Sequence, residues 1–351
     1  MAKSYRHLYE RIYDFENLYS AYLKARRGKR DRPEVQRFEQ DLEGNLIQLQ
    51  NELILGTYKT GRYRLFKVFE PKERQVAALP FRDRVLQHAL VDTIEPIWET
   101  RFIPDSFACR PNKGTHAGAD RVEAMMRKVK RQHGSVCVFK ADIAKYFSNI
   151  DHAILKRLVR RYVKCRRTLA LFEGIIDSCA VPGDARPVGL PIGNLTSQLC
   201  ANIYLHALDE FVKYELGEPF YLRYMDDFCI IHHDKAYLHQ LRNTLEEFLW
   251  NRLRLRTNAK TQVFPVTSWP GRPLDFLGYR IWPTHRKLRT SSIRRISKTL
   301  KRLQKLYGKG VVSLDRVRQS VISWIGHAKH AESYGLRKKL LGRFAFVRGV
   351  Q

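Results

Sequence analysis

The sequence YLRYMDDFCIIHH, at Tyr221–His233, decides the fold of this chain. Two runs rich in aromatic and branched residues flank Met225, Asp226 and Asp227, a pattern that predicts a β-hairpin with these three residues at its tip. Two adjacent carboxylates repel each other unless a cation neutralises them. Mg²⁺ suits this task because it takes carboxylate oxygens together with substrate phosphates. A polar turn without a metal is the alternative for this stretch taken alone.

A third aspartate follows another predicted strand. In VCVFKADIAKYFSNI, at 136–150, the apolar run Val136–Phe139 predicts a buried strand, and Asp142 lies just past its end. Asp151 is predicted to cap the next helix, because apolar residues recur at helical spacing after it. On its own, an aspartate such as Asp142 after a strand is more often a helix cap or a solvated loop residue. Beside the aspartate pair of the hairpin, it completes a site for two ions about 3.5–4 Å apart, the arrangement used for nucleotidyl transfer.

Five ordered blocks resemble the catalytic core of reverse transcriptases. FKADIAKYF and YMDD carry the three aspartates, and LPIGNLTSQ (Leu190–Gln198) lies between them. ACRPNKGTHAG (Ala108–Gly118) and FLGYRIWPTH (Phe276–His285) complete the set. Most bacterial reverse transcriptases carry glutamine in place of Ile192 and proline in place of Gln198. The form IGxxxSQ is instead similar to that of reverse transcriptases from diversity-generating retroelements, and the likeness covers nearly the whole chain.

The resemblance implies an α+β fold, a right-hand polymerase with fingers, a palm of antiparallel sheet packed on helices, and a helical thumb. We expect N-terminal helices and fingers in residues 1–135, with palm segments interleaved from about residue 81. The palm with the catalytic core is expected in residues 136–285, with a fingers or palm segment at 165–190. The thumb is expected in residues 286–351, which leaves no room for an appended nuclease domain.

Apolar spacing predicts the individual elements. A β-hairpin is predicted over Tyr58–Leu79 with its loop at Glu70–Arg74. Helices are predicted at Tyr5–Lys24, Pro33–Leu53, Phe81–Thr100, Gly114–Arg131, after Asp151, after Ser197, near Tyr237–Leu253, and in the thumb at Ser291–Tyr307, Ser313–Ala331 and Tyr334–Val347.

The resemblance also implies a catalytic centre. Asp142, Asp226 and Asp227, with the backbone carbonyl of Ile143, are the expected ligands of two Mg²⁺ ions, or of Mn²⁺ in their place. Lys260 matches a lysine that many reverse transcriptases place near the leaving pyrophosphate, where it could donate a proton or only supply charge. An ordinary surface lysine is the alternative for Lys260.

Further residues are expected to contact the incoming nucleotide. Lys72 and Arg74 lie in the fingers loop, and the planar fork of arginine binds phosphate oxygens in pairs. An arginine exposed to solvent is the alternative. Phe147 stands where reverse transcriptases place an aromatic gate against a ribose 2′-OH. Tyr146 is the adjacent candidate for that gate, and a core phenylalanine is the third possibility.

The IGNLTSQ block supplies the remaining nucleotide contacts, namely Ile192, Gly193 and Gln198. Tyr224 and Met225 of the hairpin are expected to lie near primer and template. An aliphatic side chain at position 192 cannot make the hydrogen bonds of the usual glutamine, so base discrimination should weaken there. We therefore expect frequent errors opposite template adenine.

Composition bounds the partners. The 351 residues carry 64 Lys+Arg against 35 Asp+Glu, a net charge of +29 that fits a polyanionic partner. Six scattered cysteines without a CxxC pair indicate reduced thiols in a cytoplasmic protein, and no apolar run approaches a membrane span. The resemblance adds template RNA, cDNA, deoxynucleotides and an accessory variability determinant, a small basic helical oligomer.

The leading hypothesis is an RNA-directed DNA polymerase of a diversity-generating retroelement, which makes error-prone, adenine-mutagenised cDNA. A retron, group II intron or defence-associated reverse transcriptase is the alternative among enzymes, and Ile192 and Gln198 disfavour it. A non-catalytic RNA-binding scaffold is the alternative from another class. Three carboxylates beside a negatively charged substrate would serve no purpose in a scaffold.

Overall fold

The computed structural model describes residues 4–69, 73–180 and 185–348. Its first half contains α1 (Tyr9–Tyr13), α2 (Phe15–Ala25), α3 (Pro33–Glu39), α4 (Leu42–Leu55), β1 (Arg64–Val68), β2 (Arg74–Ala78), α5 (Phe81–Glu99), α6 (Thr115–His133), β3 (Cys137–Asp142), α7 (Tyr146–Asn149), α8 (His152–Arg160) and α9 (Arg166–Asp177). Its second half contains α10 (Leu195–Glu210, continued by a π-helical turn at Phe211–Glu215), β4 (Tyr221–Tyr224), β5 (Asp227–His232), α11 (Lys235–Leu253), β6 (Gln262–Pro265), β7 (Leu274–Phe276), β8 (Tyr279–Ile281), β9 (Arg286–Leu288), α12 (Thr290–Gly308), α13 (Leu314–Ala328) and α14 (Tyr334–Leu341).

A four-stranded antiparallel sheet, in the order β4-β5-β3-β6, forms the centre of the molecule. Successive side chains of a strand point to opposite faces, and β5 uses both faces for burial. Phe228 and Ile230 belong to a core shared with the N-terminal helices and with α8, α10 and α11. Cys229 and Ile231 belong to a second core shared with α6, with the sheet of β7, β8 and β9, and with the last three helices.

Two smaller antiparallel sheets flank this centre. The hairpin of β1 and β2 precedes α5, as the sequence predicted, although Glu70 to Lys72 of its predicted loop lie outside the described residues. Strands β7, β8 and β9 form a three-stranded sheet that leads into α12–α14. Helix α12 buries Ile296, Leu300 and Leu303, and most of its lysines and arginines lie outside that stripe.

Several predicted bounds were wrong. The single helix predicted over Tyr5–Lys24 is broken at Asp14, whose side chain accepts a hydrogen bond from the Asn17 N–H at 3.1 Å and so caps α2. The helix predicted over Pro33–Leu53 is broken in the same way at Asp41, which caps α4 through Gly44.

Three smaller bounds also differ. Arg74 begins β2 instead of lying in the loop, and Asp142 is the last residue of β3 instead of following it. The last helix ends at Leu341 and does not reach Val347, because Gly342 follows and its N–H closes the final turn on Lys338. The predicted limits of fingers, palm and thumb stay predictions.

Two compositional expectations can be compared with the structure. All six cysteines are free thiols, three of them buried, two intermediate and one, Cys109, exposed. No helix in the three described ranges is long and apolar enough to cross a bilayer.

Candidate active site

The turn between β4 and β5 brings two aspartates to one edge of the central sheet. Tyr224 pairs with Asp227, so Met225 and Asp226 form a two-residue turn, and Met225 adopts the left-handed conformation at φ 56°. Asp227 begins β5 directly opposite Asp142, the last residue of β3. The three predicted aspartates therefore meet at this edge.

Backbone contacts hold the neighbouring strand end against the turn. The N–H of Ile143 donates to the carbonyl oxygen of Asp226 at 3.2 Å, and Asp142 and Ile143 are consecutive in the chain. This bond fixes the position of the turn relative to β3, because Ile143 directly follows β3 while Asp226 lies in the turn before β5. The carbonyl of Ile143 stays a proposed metal ligand.

The carboxylates disfavour one another's charge. Burial, followed by the negative charge of Asp142, raises the pKa of Asp226 to about 6, while the Arg74 guanidinium acts in the opposite direction. Burial also raises the pKa of Asp227, against the lowering effect of the Lys140 ammonium. Half-buried carboxylates that repel each other form a ready site for a divalent cation.

A cleft of about 530 Å³ opens beside these carboxylates. Asp142, Asp227 and Lys260 lie in its lining, so the predicted lysine does share a cavity with two of the predicted aspartates. Arg289 and Asp275 form an ion pair on another part of the lining. Two carboxylates and positively charged side chains therefore line the same cleft. A site for a polyphosphate and metal ions needs both kinds of group.

The donor set fits Mg²⁺ as an open site. Asp142, Asp226 and Asp227 offer only hard oxygen ligands, which this ion prefers. Across the described residues, no group of three or more His, Cys, Asp or Glu side chains is arranged so that it could hold a metal ion. The three aspartates therefore stay proposed ligands.

Asn258 is a site residue that the sequence did not single out. Its side-chain amide donates to Oδ2 of Asp142, and its main-chain N–H donates to the Asp142 carbonyl at 2.8 Å. Its own Oδ1 accepts from the N–H of Lys260 at 2.8 Å. Asn258 thus ties the lysine loop to the aspartate, and its position two residues before Lys260 was the only signal in the sequence.

The structure separates the two candidates for the aromatic gate. Tyr146 is buried, and its hydroxyl donates to the Ala201 carbonyl at 2.5 Å, so it is a core residue. Phe147 is half-buried and packs edge-on against Tyr146, with ring centroids 5.6 Å apart. The Phe147 carbonyl accepts from the N–H of Leu190 at 2.7 Å, which links it to the start of the IGNLTSQ block. Phe147 stays the proposed gate.

The Ile192–Gly193 turn docks on the hairpin of β1 and β2. The Ile192 carbonyl accepts from the N–H of Ala77 in β2 at 3.0 Å. Gly193 has φ 120°, and a Cβ there would lie 2.9 Å from Cγ1 of Val76. This contact places the turn against the strand that begins with Arg74.

The other predicted contact residues are distributed around this region. Gln198 is exposed in the first turn of α10, which begins at Leu195 and so already includes Ser197. Tyr224 packs on the second core, and Met225 packs on the first. Lys72 lies outside the described residues.

This chain is similar to known proteins over most of its length. The family model described as "Reverse transcriptase (RNA-dependent DNA polymerase)" matches residues 67–281. Protein YkfC of Escherichia coli K12 is 27% identical over 273 residues, which cover 66% of this chain and 70% of YkfC. The group II intron-encoded protein LtrA of Lactococcus lactis subsp. cremoris is 24% identical over 357 residues, 82% of this chain and 57% of LtrA. This chain therefore spans little more than half the length of LtrA.

A solved structure supports the architecture. Apo telomerase from Candida tropicalis is similar with a TM-score of 0.51 at 12% sequence identity, over 80% of this chain and 60% of that chain. A similarity at this level of identity concerns the fold alone. The α+β right-hand polymerase fold predicted from the sequence is confirmed.

Proposed function

The chain belongs to the reverse transcriptase family of RNA-dependent DNA polymerases, and on that premise we propose that it is the polymerase of a diversity-generating retroelement. The observation that carries the catalytic part is the strand register that sets Asp142 opposite Asp227, with Asp226 in the adjoining turn. The proposed substrates are a template RNA and deoxynucleotides, and the proposed product is cDNA.

The three aspartates would hold two Mg²⁺ ions, or Mn²⁺ in their place, with the Ile143 carbonyl as a further ligand. Bound there, the ions would activate the primer hydroxyl and stabilise the leaving pyrophosphate. Lys260, at the rim of the same cleft, would add positive charge towards the pyrophosphate.

The fingers side would bind the nucleotide itself. Arg74 begins β2 and its charge already reaches Asp226, which supports a role on the triphosphate. Lys72, its neighbour in the predicted loop, is proposed to assist. Phe147 would exclude a ribose 2′-OH, while Gln198, Tyr224 and Met225 would contact nucleotide, primer and template.

The retroelement assignment depends on position 192. The side chain of Ile192 has no hydrogen-bonding group, and the hydrogen bond at this position to the β1–β2 hairpin comes from its backbone carbonyl, which accepts from Ala77. A glutamine there could hydrogen-bond to a base pair or sugar, and its absence supports weak discrimination. The similarity to LtrA favours a group II intron-type reverse transcriptase as the second candidate.

Primer extension on an RNA template tests the catalytic part. The wild type with Mg²⁺ should extend a primer, whereas Asp226→Asn should lose extension because one carboxylate of the cluster is neutralised. Asp31→Asn is the control, since Asp31 is exposed in the basic turn after α2. A wild type that binds RNA but extends no primer, even with its accessory protein present, would support the scaffold alternative.

Sequencing of the cDNA tests the retroelement part. Ile192→Gln should lower the error frequency opposite template adenine severalfold and leave errors at other template bases nearly unchanged. Ile47→Gln is the control, because Ile47 is also partly exposed but lies on α4. Equally low error frequencies at adenine in the wild type and in Ile192→Gln would favour the group II intron-type candidate.

The proposed partners are a structured RNA and the accessory variability determinant, a small basic helical oligomer. The net charge of +29 supports RNA binding, and it also means that a second basic protein needs RNA or local acidic groups between the two. Co-purification with and without ribonuclease separates these cases. Failure to bind either partner would count against the proposal.

A further inference from the structure

A fully buried ion pair lies behind the catalytic turn. Asp209 of α10 and Arg223 of β4 both have side chains with 0% exposure. Arg223 Nε donates to Oδ1 of Asp209 at 2.7 Å, and Nη2 donates to Oδ2 at 2.6 Å. This is the parallel two-bond geometry that makes an arginine–carboxylate pair both strong and directional.

The remaining nitrogen of the guanidinium reaches the turn itself. Arg223 Nη1 donates to the carbonyl of Met225 at 3.1 Å and to Oδ1 of Asn202 at 3.2 Å. The Tyr221 hydroxyl donates to Oδ1 of Asp209 at 2.7 Å. Burial, followed by the charge of Asp209, raises the pKa of Tyr221 well above its usual value, so the phenol keeps the proton that it donates.

Stability alone does not explain such a pair. Removing two charges from water is costly, and well-packed apolar residues often serve stability equally well. Burial by itself lowers the pKa of Arg223, but the charge of Asp209 and its hydrogen bond raise it, so that the pKa of the guanidinium is above its usual value. A buried pair of this kind can instead fix one particular geometry, and here one end of the pair binds the backbone of the turn.

That turn needs external support. Met225 has φ 56°, a left-handed conformation that is unfavourable for a residue with a side chain. On the other edge of β4, the Arg223 N–H donates to the Asp105 carbonyl at 3.0 Å, and the Arg223 carbonyl accepts from the Phe107 N–H at 3.0 Å. Both ends of the arginine, backbone and guanidinium, are therefore fixed.

We propose that Asp209 and Arg223 are positioning residues, which hold the Met225 carbonyl and thereby set the direction of the Asp226 carboxylate. The proposal rests on the proposed polymerase function only where it concerns catalysis. The geometric part, that the pair fixes the turn, stands separately. Neither residue contacts substrate in this role.

Arg223→Lys is the decisive variant. Lysine keeps the positive charge but has a single nitrogen, so it cannot bind both oxygens of Asp209 and also reach Met225. We expect kcat for primer extension to fall about 10–100-fold, as for other residues that orient a metal ligand, and the Mg²⁺ requirement to rise. The KM for deoxynucleotides should change little.

A spectroscopic signal reports the turn without reference to activity. The protein has four methionines, so methyl-labelled methionine gives a simple NMR spectrum in which Met225→Leu identifies the Met225 signal. In Arg223→Lys, the Met225 signal should shift or broaden, while those of Met125 and Met126 in α6 should not move.

Arg26→Lys is the matched control. Arg26 forms the same kind of group with a carboxylate and a tyrosine, since its Nη1 donates to Glu39 at 2.8 Å and to the Tyr22 hydroxyl at 2.8 Å. This group joins α2 and α3, away from the central sheet. Arg26→Lys should leave both kcat and the Met225 signal unchanged.

The outcomes separate the two proposals. A wild type without polymerase activity would defeat the proposed function, while the Met225 signal would still test the pair. Unchanged kcat, Mg²⁺ requirement and Met225 signal in Arg223→Lys would overturn the positioning role. If Arg223→Lys does not fold, Asp209→Asn decides by the same two measurements, since asparagine keeps the size and one acceptor but removes the charge.

Discussion

Asp142 does not present a free carboxylate to the cleft, because Asn258 donates to its Oδ2 and also binds its backbone carbonyl. A hydrogen bond to one carboxylate oxygen leaves the other oxygen in a fixed direction for an ion. The same asparagine accepts from the N–H of Lys260, so one side chain sets the relation between an aspartate and the lysine on the cleft. We therefore expect single residues next to the carboxylates to influence metal binding at the proposed site.

Replacing this asparagine tests that conclusion. Asn258→Ala should raise the Mn²⁺ concentration needed for half-saturation about 10–100-fold, because the Asp142 carboxylate becomes free to rotate. Electron paramagnetic resonance of free Mn²⁺ measures the binding without any reaction. Asn251→Ala is the control, since Asn251 lies exposed on α11 and contacts Glu247. Equal Mn²⁺ binding by the wild type and Asn258→Ala would contradict the role given to Asn258.

Local patterns could predict the acidic residues but not their partners. Asp142 and the Asp226–Asp227 pair were recognisable because each lies at the end of an apolar run, and Asp151 caps α8 as predicted. Asn258 was not recognisable, because its importance comes from a contact across 116 positions of the chain. Nothing in the local sequence indicates which distant side chain a given carboxylate will accept a hydrogen bond from.

Among the elements, helices were predicted in the right places but not always with the right ends. Apolar residues continue at helical spacing through Tyr5–Lys24, so periodicity gave no sign of the break between α1 and α2. The break is made by Asp14, whose short side chain accepts a hydrogen bond from the Asn17 N–H in the first turn of α2. The same holds for Asp41 between α3 and α4. A capping residue in the middle of a periodic pattern outweighs the pattern.

The turn at Ile192–Gly193 offers a prediction about how elements fit together. Gly193→Ala should destabilise the contact with β2 by about 1–3 kcal/mol, because alanine is strained at φ 120° and its Cβ would meet Val76. We expect a higher KM for deoxynucleotides in steady-state extension. The control is Gly174→Ala in α9, where a Cβ has open space. An unchanged KM in Gly193→Ala would show that this docking does not serve nucleotide binding.

On the scale of the whole molecule, buried histidines link stability to pH. His206 is buried, and burial lowers its pKa below 6.5, against the opposing charges of Asp209 and Glu210. Burial is also the largest cause of the lowered pKa values of His88, His116 and His327. The unfolded chain takes up protons at these positions at a higher pH than the folded protein does. Their contribution to stability is therefore complete above about pH 6.5 and is lost as the pH falls below it.

Replacing His206 tests this pH dependence. His206→Phe should flatten the decline in unfolding free energy between pH 7 and pH 5, because the ring niche beside Trp98 and Phe102 stays filled while the titrating group is gone. Urea unfolding at a series of pH values measures the slope. His239→Phe is the control, since His239 is exposed. Identical slopes for the wild type and His206→Phe would contradict this account.

The strand that begins with Asp227 belongs to two cores at once, with Phe228 and Ile230 on one side and Cys229 and Ile231 on the other. Separating β5 from the residues of either core would therefore expose one of its two buried faces. Two fragments of the chain, each carrying one core, should restore the arrangement of the three aspartates only if they fold together. Mutations in either core should therefore disturb the position of Asp227. We expect tolerance to substitution to be lowest along β5.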